Sequence, residues 1–230
     1  MLFIVDSKIS DSAKKILSSF GELLELKTKG LVYPAISGHP DIFFCQTEDE
    51  LVIAPNLPQE YFEEIKNLSV PFIHGETELG NHYPETARYN AVVTENFIIH
   101  NFRYTDFAIT RTFEDRTPAH VDQGYCRCNL LPLKEDHFIT SDEGIYKVLK
   151  RHSGDILKVS HEGIHLEGFP NGFFGGCCGV LGEKVFINGN LKRYKDGMKV
   201  KEFLKALDYE IIELHDGPLI DTGSIISVEY

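Results

Sequence analysis

The 230-residue chain has no tryptophan, two methionines and five cysteines, and its longest apolar run falls far short of the ~18 residues that suggest a membrane-spanning helix. The opening apolar stretch stops at Asp6, so neither a signal peptide nor a span is predicted, and the expected location is cytoplasmic. A basic stripe is missing as well. The chain has 23 Lys and Arg against 35 Asp and Glu, giving a net charge of −12, which repels a phosphate backbone; no nucleic acid and no membrane is expected as a partner. The short run Lys192, Arg193 and Lys195 reads as a solvated loop before a helix. An odd number of cysteines without an export signal argues for reduced thiols. The close pairs Cys126/Cys128 and Cys177/Cys178 lack the C-x-x-C spacing of structural zinc sites, so no structural metal is expected. No Pro/Gly/Ser-rich linker or charge block divides the chain, and one domain over residues 1–230 follows.

What the chain does have is a repeat. Short apolar strands ending in turns occur at FIVDS (3–7), VIAPN (52–56), FIIHN (97–101), FITSD (138–142) and FINGN (186–190), spaced 49, 45, 41 and 48 residues apart. Each has an apolar partner just before it: DIFFCQ (41–46), RYNAVV (88–93), YCRCNLL (125–131), FFGGCCGV (173–180) and, for the first strand, GSIISV (223–228) at the chain end. Tight polar connections such as Thr47-Glu48-Asp49-Glu50 and Lys134-Glu135-Asp136 make each pair a predicted hairpin. Helices are predicted over 13–20, 59–68, 145–152 and 199–208, with capping residues before them, and returning strands over 22–27, 70–75, 156–160 and 209–215. The third copy, 102–118, shows no helical stripe. Hairpin, helix and returning strand used five times predict an α/β fold, a five-bladed α/β propeller whose ring the N-terminal strand closes.

In such a ring the loops leading into the hairpins converge on the axis, where a small-molecule site is expected. His39 and Asp41, two residues apart in a segment read as extended, would share one face, an imidazole beside a carboxylate suited to proton transfer. Two copies later Cys128 would point inward, with Arg127 alternating to the other face, and a thiolate near an imidazolium is an activated nucleophile. The same residues also suit plainer roles. His39 can cap a strand, Asp41 can satisfy a turn amide, and Cys128 can be a small core residue.

HPDIFFCQTEDELVIAP (39–55) resembles the H-x-D hairpin of arginine and agmatine deiminases, and GYCRCN (124–129) resembles their glycine-led hairpin ending in the nucleophilic cysteine. Both belong to the pentein, or guanidine-group-modifying, superfamily of five-bladed α/β propellers. The resemblance implies Cys128 as nucleophile, His39 as proton shuttle and Asp41 as the carboxylate gripping a guanidinium. It also implies a small polar partner, guanidino or amino-acid-like, hydrolysis or amidine transfer through a thiouronium intermediate, and no cofactor. In the family the cysteine stands in the last blade, whereas here that blade reads DTGSIIS (221–227), so the resemblance implies a circular shift. By that shift the family's second guanidinium aspartate falls near FPNGF (169–173), where Asn171 and Gly172 stand, and an acidic partner would be Asp216 or Asp221. Through GHPD, GYCRC and DGPLIDTGS the chain is also similar to an uncharacterised bacterial family of this fold, which implies no activity. A non-catalytic ligand- or protein-binding propeller is the alternative.

HEGIH (161–165) matches the zinc-peptidase pattern H-E-x-x-H, which needs a helix to set both histidines on one face. Here a strand-like ILKVS precedes it, and Gly163, Gly168 and Pro170 oppose a helix, so a loop is predicted and a zinc metallopeptidase is the least favoured reading. His165 could still line the axial site, and His165 and Glu167 with Cys45 form a weaker second grouping.

Overall fold

The computed structural model describes residues 1–47, 50–152 and 155–230. The middle of the predicted turn at Thr47-Glu48-Asp49-Glu50 lies outside the described residues. Each repeat copy supplies a central strand of β-branched and aromatic residues that is almost wholly buried, reading as a continuous apolar run because both faces are covered.

Five three-stranded sheets result, and each has the same plan. β1 (Leu2–Asp6) pairs parallel with β2 (Glu22–Leu26) and antiparallel with the C-terminal strand β15 (Ile226–Val228), so both chain ends share one sheet. The second sheet joins β3 (Phe44–Gln46), β4 (Leu51–Ile53) and β5 (Phe72–His74), and the third joins β6 (Val92–Val93), β7 (Phe97–His100) and β8 (Thr117–His120). The fourth joins β9 (Leu130–Pro132), β10 (Phe138–Thr140) and β11 (Ile156–Lys158), and the fifth β12 (Cys178–Leu181), β13 (Lys184–Ile187) and β14 (Glu210–Glu213). In all five, an antiparallel hairpin is followed by a returning strand parallel to the central one.

Between central and returning strand runs a helix whose start is set by a polar or proline residue. Ser10 Oγ accepts from the Ala13 amide to cap α1 (Asp11–Leu17), and Asp142 does the same for Ile145 at the start of α6 (Glu143–Leu149). Pro58 opens α3 (Gln59–Asn67) and Asp196 precedes α7 (Gly197–Ala206). The third copy is complete, contrary to expectation. Asp106 caps α4 (Phe107–Thr112), and Thr117-Pro118-Ala119-His120 forms the returning strand. Six residues are too few to show a helical stripe, and Pro118 hides a strand that stands at the sheet edge, where proline is tolerated. Among the described residues, no helix is long and apolar enough to cross a membrane.

The hairpin lead-ins depart most from expectation. DIFFCQ and YCRCNLL are not extended throughout: Pro40–Phe43 (α2) and Cys126–Asn129 (α5) each make one helical turn, and strand begins only at Phe44 and Leu130. Pro40 favours the turn by fixing φ at the first helical position. His39 is therefore the residue before a helical turn and Asp41 lies inside it, so the same-face argument for an extended strand does not apply. Arg127 is not at the surface. Its guanidinium is buried and donates to the carbonyls of Gly175 and Cys178, at 3.0 and 3.1 Å.

Candidate functional site

The strand register shows why distant residues meet. The second residue of each repeat strand, Ile4, Ile53, Ile98, Ile139 or Ile187, faces Ile226, Phe44, Val93, Leu131 or Cys178 across its hairpin. Three residues before each of those partners stand Gly223, Asp41, Asn90, Cys128 and Gly175. All five are buried where the sheets' lead-in turns pack together.

The three side chains among them touch. Cys128 Sγ donates to Asp41 Oδ2 at 2.9 Å, and Asn90 Nδ2 reaches both Cys128 Sγ (3.3 Å) and the Asp41 carbonyl (2.9 Å). Asn90 Oδ1 accepts from the Cys128 amide at 3.2 Å, holding the sulfur's backbone in place. Ser224, in the left-handed region at φ 70°, donates its hydroxyl to Asp41 Oδ2 at 2.7 Å. The two glycines permit close approach. A Cβ on Gly223 would lie 2.2 Å from the His39 Cβ, and one on Gly175 would lie 2.3 Å from the Arg127 carbonyl oxygen.

A cavity of about 140 Å³ opens beside this cluster, lined by His39, Cys128, Asn171 and Asp221 together with apolar and aromatic walls. The Asp221 carboxylate, itself buried, is held by the amides of Phe173 (2.8 Å) and Gly223 (3.0 Å). Two polar atoms here have no hydrogen-bond partner among the described residues: Asp41 Oδ1 and His39 Nδ1. Buried polar atoms without partners are costly and uncommon, and a site awaiting a polar ligand is where they are expected.

Burial governs the charges. It holds His39 down to about 3, with the Lys8 charge adding to the effect, so the ring is neutral at pH 7. The His39 Nε2 to Asp6 Oδ2 contact at 4.0 Å is therefore not an ion pair in this state. Burial pushes the Asp41 carboxyl up against the opposing hydrogen bonds from Cys128 and Ser224. Burial and the Asp41 charge raise Asp221 to about 7. The Cys128 thiol goes well above its ordinary range, first through burial and then through Asp41. In the free protein the Cys128 thiol thus donates to the Asp41 carboxyl group and His39 is neutral, which is not the thiolate–imidazolium pair that the sequence suggested.

The remaining expected residues lie elsewhere. Asp216 is exposed and takes a hydrogen bond from Asn190 at 3.3 Å. His165 is exposed as well; its backbone brackets the site, donating to the Leu219 carbonyl and accepting from the Asp221 amide, both at 2.8 Å. Cys45 is buried and donates to the Ala91 carbonyl, whereas Glu167 is exposed and pairs with Lys8, so the His165, Glu167 and Cys45 grouping does not form. HEGIH is a turn followed by a single bridge, with both histidines exposed and Glu162 paired to Lys195, and lacks the helix that the zinc-peptidase pattern requires. Among the described residues, no three His, Cys, Asp or Glu side chains gather to hold a metal ion. Cys177 and Cys178 are buried and packed. Asn90 and Ser224, which the motifs did not single out, carried a signal in the repeat: Asn90 occupies the register position of Asp41 and Cys128, and Ser224 follows Gly223 at that position.

The fold matches known enzymes. Over 87% of its length the chain superposes on 76% of SxtG, an amidinotransferase of the saxitoxin biosynthetic pathway from Microseira wollei, with a TM-score of 0.54 and 14% identity. Over 94% of its length it superposes on 83% of a cysteine-to-serine mutant of DDAH from Pseudomonas aeruginosa in complex with citrulline, with a TM-score of 0.55 and 12% identity. The fold is therefore the pentein fold. No curated protein sequence matches the chain. The model of a family of unknown function, DUF6873, matches residues 4–226, and the chain belongs to that family.

Proposed function

We propose that residues 1–230 form one five-bladed ring with the lead-in turns at its axis, and that the axial cavity binds a small amidinium or guanidinium compound on which Cys128 acts. Hydrogen bonds between successive lead-ins support the ring: Asn90 to the Asp41 carbonyl, Arg127 to Asn90 and to Gly175, Ser224 to Gly176, and Asp41 to Gly223. The observation that carries the function is a small cavity lined by Cys128, His39 and the buried Asp221, with a second buried carboxyl group, Asp41, bonded to Cys128 behind it and with Asp41 Oδ1 and His39 Nδ1 unpartnered.

An amidinium is planar, cationic and rich in N–H donors, which matches the acceptors that Asp41 and Asp221 offer. Its charge would supply the cation that the thiol lacks, lowering the cost of ionising Cys128 when the ligand is present. The sulfur then forms a bond to the amidino carbon, and the thiol proton passes through His39 to the departing nitrogen as the C–N bond breaks. A thiouronium on Cys128 remains. Water, giving its proton to His39, displaces the sulfur, and that proton returns to Cys128; an amine in place of water makes the reaction amidine transfer. His39, neutral before the reaction, is suited to take and return a proton, and Asp6 would stabilise the transient imidazolium.

Incubation with agmatine, arginine and methylated arginines, followed by assay for ureido product and released amine or ammonia, tests this reading. Product that disappears in Cys128→Ala supports it, and absence of Cys128-dependent product across the set refutes catalysis on these compounds. One observation favours a second reading, ligand binding without catalysis: burial pushes the Cys128 thiol up, and it donates to the Asp41 carboxyl group. Amidinium binding without turnover would establish it.

A further inference from the structure

We infer that the cavity selects an amidinium or guanidinium carried on an uncharged, apolar or aromatic body and rejects one that bears a carboxylate, an inference that rests on the amidinium reading above. The first ground is charge. The acidic groups at the cavity are Asp221 and, behind Cys128, Asp41, and among the described residues no lysine or arginine lines it. Neighbouring cations are committed elsewhere: the Arg127 guanidinium donates to the carbonyls of Gly175 and Cys178, and Lys8, whose charge His39 senses, is paired with Glu167 at 3.1 Å. A ligand carboxylate would enter beside two aspartates without a cationic partner.

The second ground is the wall and its rim. Ile36, Ile42 and Leu166 line the cavity, with Tyr33, Phe169 and Phe173 completing its apolar side. Phe169 is 46% exposed, and its ring lies 6.1 Å from that of Tyr33. Nearby, Tyr83 is 49% exposed, with its ring 5.6 Å from Tyr125, another lining residue, and 5.7 Å from Tyr104. At about 140 Å³ the cavity is below the roughly 300–1,000 Å³ of sites that enclose a whole drug-sized ligand. A cationic head fits inside, and the body then lies against this aromatic rim, where a flat or apolar group gains contact and a carboxylate gains no ion pair.

Calorimetric titration of the intact protein with guanidinium, benzamidine and arginine tests the inference. Benzamidine is expected to bind at least about tenfold more tightly than arginine, the carboxylate being the disfavoured group. Phe169→Ala, a change at a half-exposed side chain, is expected to weaken benzamidine about threefold while leaving guanidinium unaltered. Arginine binding as tightly as benzamidine, or benzamidine binding unchanged in Phe169→Ala, overturns the assignment of the body while the amidinium site stands. If none of the three binds, or if Asp221→Asn binds them as well as the wild type, the amidinium reading itself falls, and this inference with it.

Discussion

Replacing either His39 or Asp221 should change the pH dependence of stability, each in the opposite sense to the other. Both groups are buried, and burial moves them in opposite senses: His39 from 6.5 to about 3, Asp221 from 3.8 to about 7. Between those limits the folded protein keeps His39 unprotonated while the unfolded chain protonates it, so the His39 contribution is lost as pH falls from 6.5 towards 3. For Asp221 the folded state binds the extra proton, so its contribution falls as pH rises from about 4 to about 7. Each spans about three pKa units, or roughly 4 kcal/mol, and the two slopes nearly cancel across pH 4–6.5. His39→Gln should leave a protein whose stability, relative to wild type, declines with rising pH through this window. Asp221→Asn should do the reverse. The Asn variant also loses an acceptor for Phe173 or Gly223, a cost of about 1–3 kcal/mol that shifts the whole curve without changing its slope. Urea denaturation at half-unit steps from pH 4 to 8 measures these differences. Variant and wild-type curves running parallel through pH 4–6.5 would refute the account of both groups.

Two further outcomes follow from the same geometry. If an amidinium needs Asp221 ionised, its affinity should rise about tenfold between pH 6 and pH 8 and then level off, because the group titrates near 7 while His39 stays neutral throughout; calorimetry in buffers of different ionisation enthalpy would count the proton released, and a flat profile would contradict the pairing. Gly223→Ala should destabilise the fold by about 2 kcal/mol or more, since the residue sits at φ 72° and the added methyl meets the His39 Cβ at 2.2 Å; an alanine protein with unchanged denaturation midpoint and ligand affinity would show that His39 is not held by this contact.

Much of the architecture was legible because its signal was redundant. Five apolar strands at similar spacing, each with a hairpin partner, survive the loss of any single cue, and the short strand at Ile226–Val228 was identifiable as the partner of the N-terminal strand because the first copy otherwise lacked one. The third copy was misread for want of redundancy. Its helix has six residues and its returning strand contains Pro118, so neither periodicity nor β-propensity could register, although Asp106 stood in place as a cap.

The site divides along the same line. Its positions are a matter of register, and register is carried by the repeat: Asp41, Asn90 and Cys128 stand at one place in three copies, and His39 and Cys128 line one cavity while Asp41 bonds to Cys128 behind it. The ionisation of those side chains is not local. Whether Cys128 is a thiol or a thiolate depends on how fully it is buried and on which charges stand near it, and those conditions are set by residues drawn from several sheets, including Asn90, Arg127, Phe173 and Asp221. The sequence set His39 beside Asp41 for proton transfer and suggested a thiolate at Cys128 near an imidazolium; packing instead gave the aspartate to the thiol and left the imidazole neutral. In the proposed reaction, a cation arriving in the cavity is the simplest change that would reverse the sulfur's preference, so the proposed chemistry would belong to the complex with its ligand more than to the free chain.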